Sequence, residues 1–400
     1  MRLLYVHERF GALAGAEANV LLTARELALR GHTVGLIHGA LTGKGEMAWR
    51  EAFSENFPLP GESNSSAALA ALESFSPDVA YVHKMSDLAV LEALADSGVP
   101  VVRMVHDHDL YCMRSYKYHY FNRQICRRPV SAFCLFPCGS FIARNQNGGF
   151  PLRWVKYSAK RKEIRLNRRF HRLVVASNYM KHELLRNGFD ADRIEIHAPV
   201  PPAASLGSPN PCRDGNRLIF AGQIIRGKGV DVLLESLALV KVPFECFIFG
   251  EGNHRPFCEK LSHKLGLDHR VHFKGFVSQE ELTAFYRESS LMVLSSVWPE
   301  PFGAVGLEGM RHGLPVVAFD AGGIREWLID GHNGFLVPWM DRAQFAARVE
   351  ELLLNQVLAR QLGERGRQLV TKHYDLTRYI TGLEDLFARV AARTRQEVLA

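Results

Sequence analysis

Two glutamates, Glu300 and Glu308, are the residues whose types and spacing most clearly suggest chemistry. Seven residues separate them, and a proline stands on each side of the first glutamate. Because proline cannot continue a helix, the sequence predicts a loop that carries Glu300, then a helix that begins near Phe302 and Gly303 and carries Glu308. A helix start attracts an anion such as a diphosphate, and carboxylates accept hydrogen bonds from sugar and ribose hydroxyl groups. The alternative is two surface glutamates on an ordinary helix.

The segments that follow these glutamates favour the first interpretation. They are Gly313-Leu-Pro-Val-Val-Ala-Phe, then Ala321-Gly-Gly-Ile-Arg-Glu326, then Asp330-Gly-His-Asn-Gly-Phe-Leu-Val337. Together with Glu300 and Glu308 they resemble, in the same order, the donor-site signature of the retaining nucleotide-sugar glycosyltransferases of family 4. The resemblance covers most of the chain. It implies a nucleotide diphosphate sugar as donor, a saccharide or lipid-linked acceptor, and a role in the synthesis of cell-surface polysaccharide or glycolipid.

A glycine-rich loop, Gly222-Gln-Ile-Ile-Arg-Gly-Lys-Gly229, resembles the phosphate loop of the same family. That loop typically has an arginine after its first glycine and a lysine further on. Here Lys228 matches the lysine, whereas Gln223 stands in place of the arginine and can donate a hydrogen bond without supplying charge. Arg226, in the same loop, is the candidate for the missing second cation. The resemblance therefore implies donor contacts from Gly222, Gln223, Arg226 and Lys228.

Two residues of the N-terminal half also match the family. His106 lies at the carboxyl end of a predicted strand, where ligands bind in open α/β sheets, and the family has a histidine there that contacts the donor sugar. Gly15 opens the first predicted helix, where the family usually has two glycines and this chain has Ala14 before Gly15. A glycine here would let a phosphate or sugar approach the backbone closely. The alternative for Gly15 is an ordinary turn.

The resemblance further implies a mechanism that needs neither a metal ion nor a protein nucleophile. The acceptor hydroxyl would attack on the face from which the diphosphate departs, through an oxocarbenium-like transition state. Lys228 and the helix start near Phe302 and Gly303 would stabilise charge on the diphosphate. Glu300 would bind sugar hydroxyl groups, Glu308 would bind the ribose, and His106 would contact the sugar from the other domain. The predicted catalytic residues are His106, Lys228 and Glu300, and the predicted donor-binding residues are Gly15, Gly222, Gln223, Arg226, Phe302, Gly303 and Glu308.

Two other functions stay open at this point. A protein of the same architecture could hold a nucleotide sugar without transferring it, although His106, Lys228, Glu300 and Glu308 together argue against that role. An epimerase of the same architecture would act on the free nucleotide sugar and would need no acceptor. Turnover measured with and without an acceptor distinguishes these activities.

Alternating strand and helix patterns predict the fold class. Apolar strand segments at 2–7, 33–37 and 79–82 alternate with helical segments such as 16–30, and a second series begins at 218–221. Such alternation is typical of doubly wound parallel sheets. The predicted fold is therefore α/β, with two Rossmann-like domains that face a central cleft, the architecture called GT-B.

A stretch rich in proline and small residues, 199–214, predicts a linker between the two domains. We expect an N-terminal acceptor-side domain over 1–198, with a cysteine-rich insertion at about 110–150. A C-terminal nucleotide-sugar-binding domain is expected over 215–375. By resemblance, a final helix over 376–400 packs back on the first domain.

Four of the seven cysteines lie in the insertion, at Cys112, Cys126, Cys134 and Cys138. Four thiolates can hold Zn²⁺ tetrahedrally, and such a site would be structural because no coordination position stays open for chemistry. The spacing lacks the two close cysteine pairs of a typical zinc site, so reduced and partly buried thiols are the alternative. No cofactor is expected to be required for catalysis.

Positive charge is concentrated in one part of the chain. The net charge is +7, and the segment from Arg153 to Arg172 holds nine basic residues and one acid, Glu163. This segment suits an anionic membrane surface or the pyrophosphate of a lipid-linked acceptor, and a solvated helix face is the alternative. The sequence has no long apolar run and no signal-peptide pattern. We therefore expect a cytoplasmic protein, free or attached to the inner face of the membrane, with no nucleic-acid partner.

Overall fold

The computed structural model of the 400-residue chain describes residues 1–11, 15–119, 121–136, 138–144, 152–201 and 215–399. Its contacts divide the chain into two compact units. The first unit comprises Met1–Lys117, Cys126–Ala198 and Thr377–Ala400, and the second comprises Tyr118–Ile125 and Pro199–Leu376. Each unit is built on a parallel sheet with helices around it, which confirms the predicted α/β fold class.

A seven-stranded parallel sheet forms the centre of the first unit. The strands of this half of the chain are β1 (Arg2–Phe10), β2 (Thr33–Leu41), β3 (Glu55–Pro58), β4 (Val79–Val82), β5 (Val101–Val105), β6 (Ile142–Arg144), β7 (Leu152–Trp154), β8 (Arg172–Val175) and β9 (Ile194–Ile196). The sheet has the order β3-β2-β1-β4-β5-β8-β9, while β6 and β7 form a separate antiparallel pair. Strands β4 and β5 are buried at every position, as expected when helices cover both faces of a parallel sheet.

Six helices follow strands of the first unit. They are α1 (Gly15–Leu29), α2 (Glu46–Ala52), α3 (Asn64–Phe75), α4 (Leu88–Asp96), α5 (Tyr157–Arg168) and α6 (Asn178–Arg186). Local signals in the sequence set their ends. The Asp87 carboxylate accepts hydrogen bonds from the amides of Ala89 and Val90 and caps the start of α4. Gly31 adopts φ +87° just after α1, a conformation that favours glycine and ends the helix.

The second unit is built on a six-stranded parallel sheet. Its strands are β10 (Arg217–Ala221), β11 (Glu245–Phe249), β12 (Val271–Gly275), β13 (Leu291–Leu294), β14 (Val316–Phe319) and β15 (Gly334–Val337), in the order β12-β11-β10-β13-β14-β15. Its helices are α7 (Val230–Leu237), α8 (Arg255–Lys264), α9 (Gln279–Glu288), α10 (Val305–Arg311), α11 (Arg342–Leu354) and α12 (Gln356–His373). Apolar residues of β10, β11, α7 and α11 form a single buried core.

The last helix, α13 (Leu376–Leu399), packs in the first unit although it follows the second unit in the chain. Glu384 accepts hydrogen bonds from Arg30 at 2.5 Å and from the His32 ring at 2.8 Å. The Phe387 ring lies edge-on to Tyr81, with the ring centroids 5.0 Å apart. Polar and aromatic contacts therefore attach this helix to the first unit.

Strand order identifies where each sheet can bind a ligand. In the first sheet β1 lies next to β4, and in the second sheet β10 lies next to β13, so the direction of winding reverses at these two points. In open α/β sheets, ligands bind outside the carboxyl ends of the strands at such a reversal. The predicted site residues follow these strands or their neighbours.

Three boundaries differ from the predicted ones. Pairing between β1 and β2 continues to Phe10 and Leu41, so both strands run beyond the predicted ends at residues 7 and 37. Helix α10 begins at Val305 rather than near Phe302 and Gly303. Most of the predicted linker, residues 202–214, lies outside the described residues.

Tyr118–Ile125, predicted as part of the first domain, belongs to the second unit. Two backbone hydrogen bonds make this segment a hairpin. The His119 amide donates to the Gln124 carbonyl, and the Arg123 amide donates to the His119 carbonyl. The guanidinium group of Arg123 binds both carboxylate oxygens of Asp231 in α7, at 3.3 and 2.5 Å. This buried, bidentate ion pair is the physical reason why the hairpin groups with the second unit.

Candidate functional site

Glu300 lies at the centre of a group of hydrogen-bonded polar side chains in the second unit. Lys228, which ends a short 3-10 turn after β10, donates a hydrogen bond to Glu300 Oε1 at 2.7 Å. The Trp298 indole N–H donates to the same oxygen at 2.9 Å, and the Ser296 hydroxyl also donates to it. Burial alone would raise the pKa of Glu300, but the Lys228 ammonium and these hydrogen bonds together lower it. The carboxylate is therefore charged at neutral pH.

Backbone contacts hold the loop of Lys228 against the loop of Glu300. The amides of Val297 and Trp298 both donate to the Gly227 carbonyl, at 2.9 and 3.0 Å, and the Ser295 hydroxyl donates to the Lys228 carbonyl at 3.0 Å. Gly229 has φ +66°, and a Cβ atom there would collide with the Ser295 carbonyl oxygen. Glycine is required at this position because the two backbones approach so closely.

The Ala321-Gly-Gly segment supports Glu300 from the other side. The Glu300 amide donates to the Ala321 carbonyl at 3.1 Å, and the Gly323 amide donates to the Glu300 carbonyl at 2.7 Å. Gly322 has φ +68°, and a Cβ atom there would collide with the Glu300 backbone. This motif therefore fixes the backbone position of the buried glutamate.

Other predicted donor residues occupy different surroundings. Gln223 is exposed, while Gly222 and Arg226 are half-buried, and all three lie on the loop that carries Lys228. Phe302 is buried, its ring lies 5.7 Å from that of Tyr374, and its carbonyl accepts a hydrogen bond from the Trp327 indole. The Phe302 side chain therefore serves in packing, and any contact of this residue with the nucleotide sugar would come from its backbone.

Gly303 and Glu308 flank the start of α10. Gly303 has φ +80°, and its carbonyl accepts a hydrogen bond from the Gly306 amide at 2.9 Å. Glu308 accepts a hydrogen bond from the Tyr286 hydroxyl at 3.3 Å. Burial raises the pKa of Glu308 to about 7, although the Tyr286 hydrogen bond and the Arg311 charge oppose that rise. A carboxyl group with this pKa changes its charge near neutral pH.

Three histidines lie at or near the carboxyl ends of three adjacent strands of the first unit. His7 is in β1, His83 follows β4, and His106 follows β5. His83 Nδ1 and His106 Nε2 lie 2.8 Å apart, and His7 Nε2 lies 3.8 Å from Glu17 Oε1 in α1. Burial is the main cause that lowers the pKa of each histidine, so all three rings are neutral at pH 7.

Two more predicted features of the first unit can be located. Gly15 is exposed, and a Cβ atom there would meet nothing within 4 Å, so packing among the described residues gives no reason for glycine. Close approach of a ligand stays the predicted reason. After His106, the acids Asp107 and Asp109 both pair with Lys84, at 2.5 and 3.0 Å.

His7, His83 and Lys84 were missed by the sequence reasoning, although a signal was present. His83 and Lys84 follow β4 directly, just as His106 follows β5. The rule that singles out strand ends in parallel sheets applies equally to both strands. The Lys228–Glu300 ion pair was also missed, because the two residues are 72 positions apart and were assigned separate partners.

Comparison with known families identifies the chain. Residues 208–369 match the family described as glycosyl transferases group 1, and residues 13–199 match Glycosyltransferase Family 4. The chain belongs to the family 4 glycosyltransferases. Both halves of the chain are covered, in the order that the family motifs predicted.

Two curated relatives illustrate how far the similarity extends. An uncharacterized glycosyltransferase of Methanocaldococcus jannaschii is 30% identical over 44% of this chain and 49% of that protein. The lipopolysaccharide core biosynthesis glycosyltransferase LpsE of Rhizobium meliloti is 31% identical over 40% of this chain and 46% of that protein. The matched segments thus span about half the length of these relatives.

A solved structure confirms the fold. HepE of Anabaena, crystallised in complex with UDP-glucose, superposes with a TM-score of 0.72 at 17% identity. The match covers 97% of this chain and 100% of the HepE chain. The chain therefore has the GT-B fold that the family resemblance implied.

Contacts among short segments of the insertion bring its four cysteines near one another. The Ser140 hydroxyl donates to the Cys134 carbonyl and lies 3.6 Å from the sulfur of Met113, which follows Cys112. Arg114 donates to the carbonyl of Gly139, next to Cys138, at 3.0 Å. The Cys126 amide donates to the Lys117 carbonyl at the base of the hairpin.

These thiols are neighbours without forming a coordination shell. Burial raises the pKa of Cys134 and Cys138, and the charges of nearby thiolates, including Cys112 and Cys126, raise both further. All four side chains are half-buried and reduced. Within the described ranges, no three or more His, Cys, Asp or Glu side chains are arranged to hold a metal ion. The four thiols would have to move closer together to hold a zinc ion, so no chemistry is derived from a metal here.

The raised pKa of Glu308 predicts opposite effects of pH on stability and on ligand binding. Between its ordinary value and about 7, the unfolded chain loses this proton while the folded chain keeps it, so folding becomes less favourable as pH rises. The variant Glu308→Gln lacks this titration. Its melting temperature relative to wild type should therefore increase between pH 5 and pH 8, as measured by thermal unfolding.

Ligand binding should show the reverse trend. A ribose that donates hydrogen bonds to the Glu308 carboxylate favours the ionised form, so wild-type affinity for a nucleoside diphosphate should rise between pH 6 and pH 8. Calorimetry should find weaker and less pH-dependent binding in Glu308→Gln, and wild-type behaviour in Glu280→Gln, which alters an exposed glutamate. Wild-type diphosphate binding in Glu308→Gln would show that Glu308 does not contact the ribose.

Proposed function

We propose that this protein transfers a sugar from a nucleotide diphosphate sugar to a saccharide or lipid-linked acceptor, with retention of configuration at the anomeric carbon. The single observation that carries the proposal is the ion pair between the half-buried Lys228 and the buried carboxylate of Glu300. It joins a cation, suited to a diphosphate, to a carboxylate, suited to sugar hydroxyl groups, at the reversal point between β10 and β13. Membership of family 4 supports the same assignment.

In the proposed reaction, the bond between the anomeric carbon and the diphosphate oxygen breaks as the acceptor oxygen forms a bond on the same face. The acceptor proton passes to the departing diphosphate. Negative charge grows on the diphosphate in the transition state, and Lys228, with Arg226 as the second candidate cation, would stabilise it. Glu300 would orient the sugar through its hydroxyl groups, and His106 would bind one of them. We propose that this scheme requires no metal ion.

The donor and acceptor classes rest on the relatives. HepE was crystallised with UDP-glucose, and LpsE is described as a lipopolysaccharide core biosynthesis enzyme. These descriptions support a nucleotide-sugar donor and a role in cell-surface polysaccharide or glycolipid synthesis. A panel of nucleotide sugars screened by thermal stabilisation would identify the donor, because a ligand at 100 times its dissociation constant adds about 2.7 kcal/mol.

Replacing Lys228 tests the proposal. Lys228→Ala should reduce turnover by roughly 10²–10³-fold, the range for removing one preorganised charged contact, and should weaken donor binding less. The same change leaves the Glu300 carboxylate buried without its cation, so it should also lower the melting temperature. The exposed Lys260→Ala is the matched control and should change neither quantity.

A second variant separates catalysis from stability. In Lys228→Ala/Glu300→Gln no buried charge is left unpaired, so part of the lost stability should return while turnover stays low. Recovery of turnover together with stability would show that Lys228 serves only the fold. Donor binding without any transfer in the wild-type protein would identify a binding protein, and turnover without an acceptor would identify an epimerase.

A structural zinc ion bound by Cys112, Cys126, Cys134 and Cys138 stays a proposal. Mass-spectrometric metal analysis of the purified protein should find about one zinc per chain if the thiols close around an ion. The metal should be lost in Cys134→Ser/Cys138→Ser and kept in Cys212→Ser, which removes a cysteine outside this group. A wild-type protein with no bound metal would establish the four residues as reduced structural thiols.

The cations of the basic segment differ in whether they pair with a carboxylate. Four of its nine cations meet a carboxylate: Lys160 with Glu163, Lys162 with Glu92, Arg169 with Asp96, and Arg172 with Glu195. Arg161, Arg165 and Arg168 recur along the exposed face of α5, and Trp154, ahead of this helix, is 76% exposed. We propose that this face binds an anionic membrane surface. None of the helices in the described part of the chain is long and apolar enough to cross a membrane.

Charge reversal on this face tests membrane binding. Arg161→Glu/Arg165→Glu should abolish sedimentation with vesicles that contain anionic lipid, because each basic residue contributes about 1 kcal/mol near such a surface. Wild-type binding should fall with added salt. The control Lys260→Glu/Lys264→Glu makes the same change at the same spacing in α8 and should bind as wild type does. Equal binding to neutral vesicles, or none to anionic vesicles at low salt, would contradict the proposal.

A further inference from the structure

His83 is the central member of an aromatic stack at the carboxyl ends of the first sheet. Its ring is completely buried and lies nearly parallel to the Tyr5 ring on one side, at a centroid distance of 5.2 Å and an angle of 16°. On the other side it lies nearly parallel to the His106 ring, at 5.1 Å and 22°. This packing leaves the His83 ring little freedom to turn.

Proton positions in the pair of histidines follow from the 2.8 Å hydrogen bond between His83 Nδ1 and His106 Nε2. Both rings are neutral, so each carries one proton, and one of the two must supply the proton of the shared bond. The other nitrogen of His83, Nε2, is buried and has no hydrogen-bond partner within the described residues. Only two proton arrangements satisfy these conditions.

The two arrangements differ in what they leave buried. If His106 donates through Nε2, the proton of His83 must be on its Nε2, which leaves a buried N–H group without an acceptor. If His83 donates through Nδ1, only a bare nitrogen is left unpaired. Orphaned N–H groups are rarer in protein interiors than unsatisfied acceptors, so the second arrangement is favoured. The proton of His106 then lies on its Nδ1 atom.

We propose that His83 is a positioning residue that holds His106 as the Nδ1–H tautomer, so that His106 offers a hydrogen-bond donor to the substrate. The ligand atom that it recognises is an acceptor, such as a hydroxyl oxygen of the donor sugar. This inference rests on the proposed function, which assigns His106 to the donor sugar. It adds that His106 donates the hydrogen bond in that contact, and it names His83 as the residue that determines this direction.

The wild-type protein tests the proton positions directly. Nitrogen-15 NMR of the histidine side chains distinguishes protonated from bare ring nitrogens, with His106 assigned by its loss in His106→Ala. We expect a protonated Nδ1 and a bare Nε2 on His106. A protonated Nε2 on His106 would overturn the proposal whatever the activity of the variants, and this measurement does not depend on any substrate.

Variants at His83 test the consequence for the substrate. His83→Leu fills a similar space without a donor, whereas His83→Asn carries an amide N–H group near the place of Nδ1. We expect that in His83→Leu the His106 proton is no longer confined to Nδ1. The KM for the donor should rise by roughly tenfold, which corresponds to the free energy of one hydrogen bond. His83→Asn should restore both the tautomer and most of the affinity, which a purely structural role would not predict.

A double-mutant cycle distinguishes the failure of this inference from that of the proposed function. In a His106→Ala background, His83→Leu should change the KM no further, because its effect acts through His106. Equal effects with and without His106 would reject the positioning role. If the tautomer is as proposed but His106→Ala binds the donor as wild type does, the assignment of His106 to the donor sugar fails while the proton positions stand.

Discussion

A charged carboxylate that is almost completely removed from water is the constraint on which the loops of the second unit depend. The Glu300 side chain is only 6% exposed, and a buried charge persists only where it is paired and hydrogen-bonded. Three donors converge on one oxygen from two separate loops, so those loops must approach within backbone contact. Glycine at Gly229 and Gly322 makes that approach possible. The glycine-rich motifs of this unit therefore follow from the ion pair that they surround.

Buried polar groups also occur at the strand ends of the first unit, where they are accommodated in another way. There the buried polar groups are mainly histidines, and burial keeps them neutral instead of pairing them with opposite charges. Charge appears beside them as the cluster of Lys84, Asp107 and Asp109, in which one cation serves two acids. The second unit therefore holds a preformed charge pair, and the first holds neutral rings whose hydrogen bonds have direction.

Local patterns predicted the fold more completely than the site. The α/β class and most strands could be predicted because apolar runs and helix ends are encoded within a few residues, as at Gly31. Motif order also singled out Lys228 and Glu300 individually. Their mutual contact could not be predicted, since it depends on how loops after β10 and β13 meet. The predicted start of α10 is too early because the sequence does not show that Gly303 adopts φ +80°, a conformation that a right-handed helix cannot contain.

The bidentate contact between Arg123 and Asp231 makes the second unit discontinuous in the chain. A fragment cut at the start of Pro199–Leu376 would lack Arg123 and would leave the Asp231 carboxylate of α7 buried without its cation. Helix α7 begins directly after the loop that carries Lys228, so the loss would fall beside that lysine. The two units consequently are not separable modules: a recombinant C-terminal half, or a hybrid joined at residue 199, inherits an incomplete interior unless the hairpin is transplanted with it.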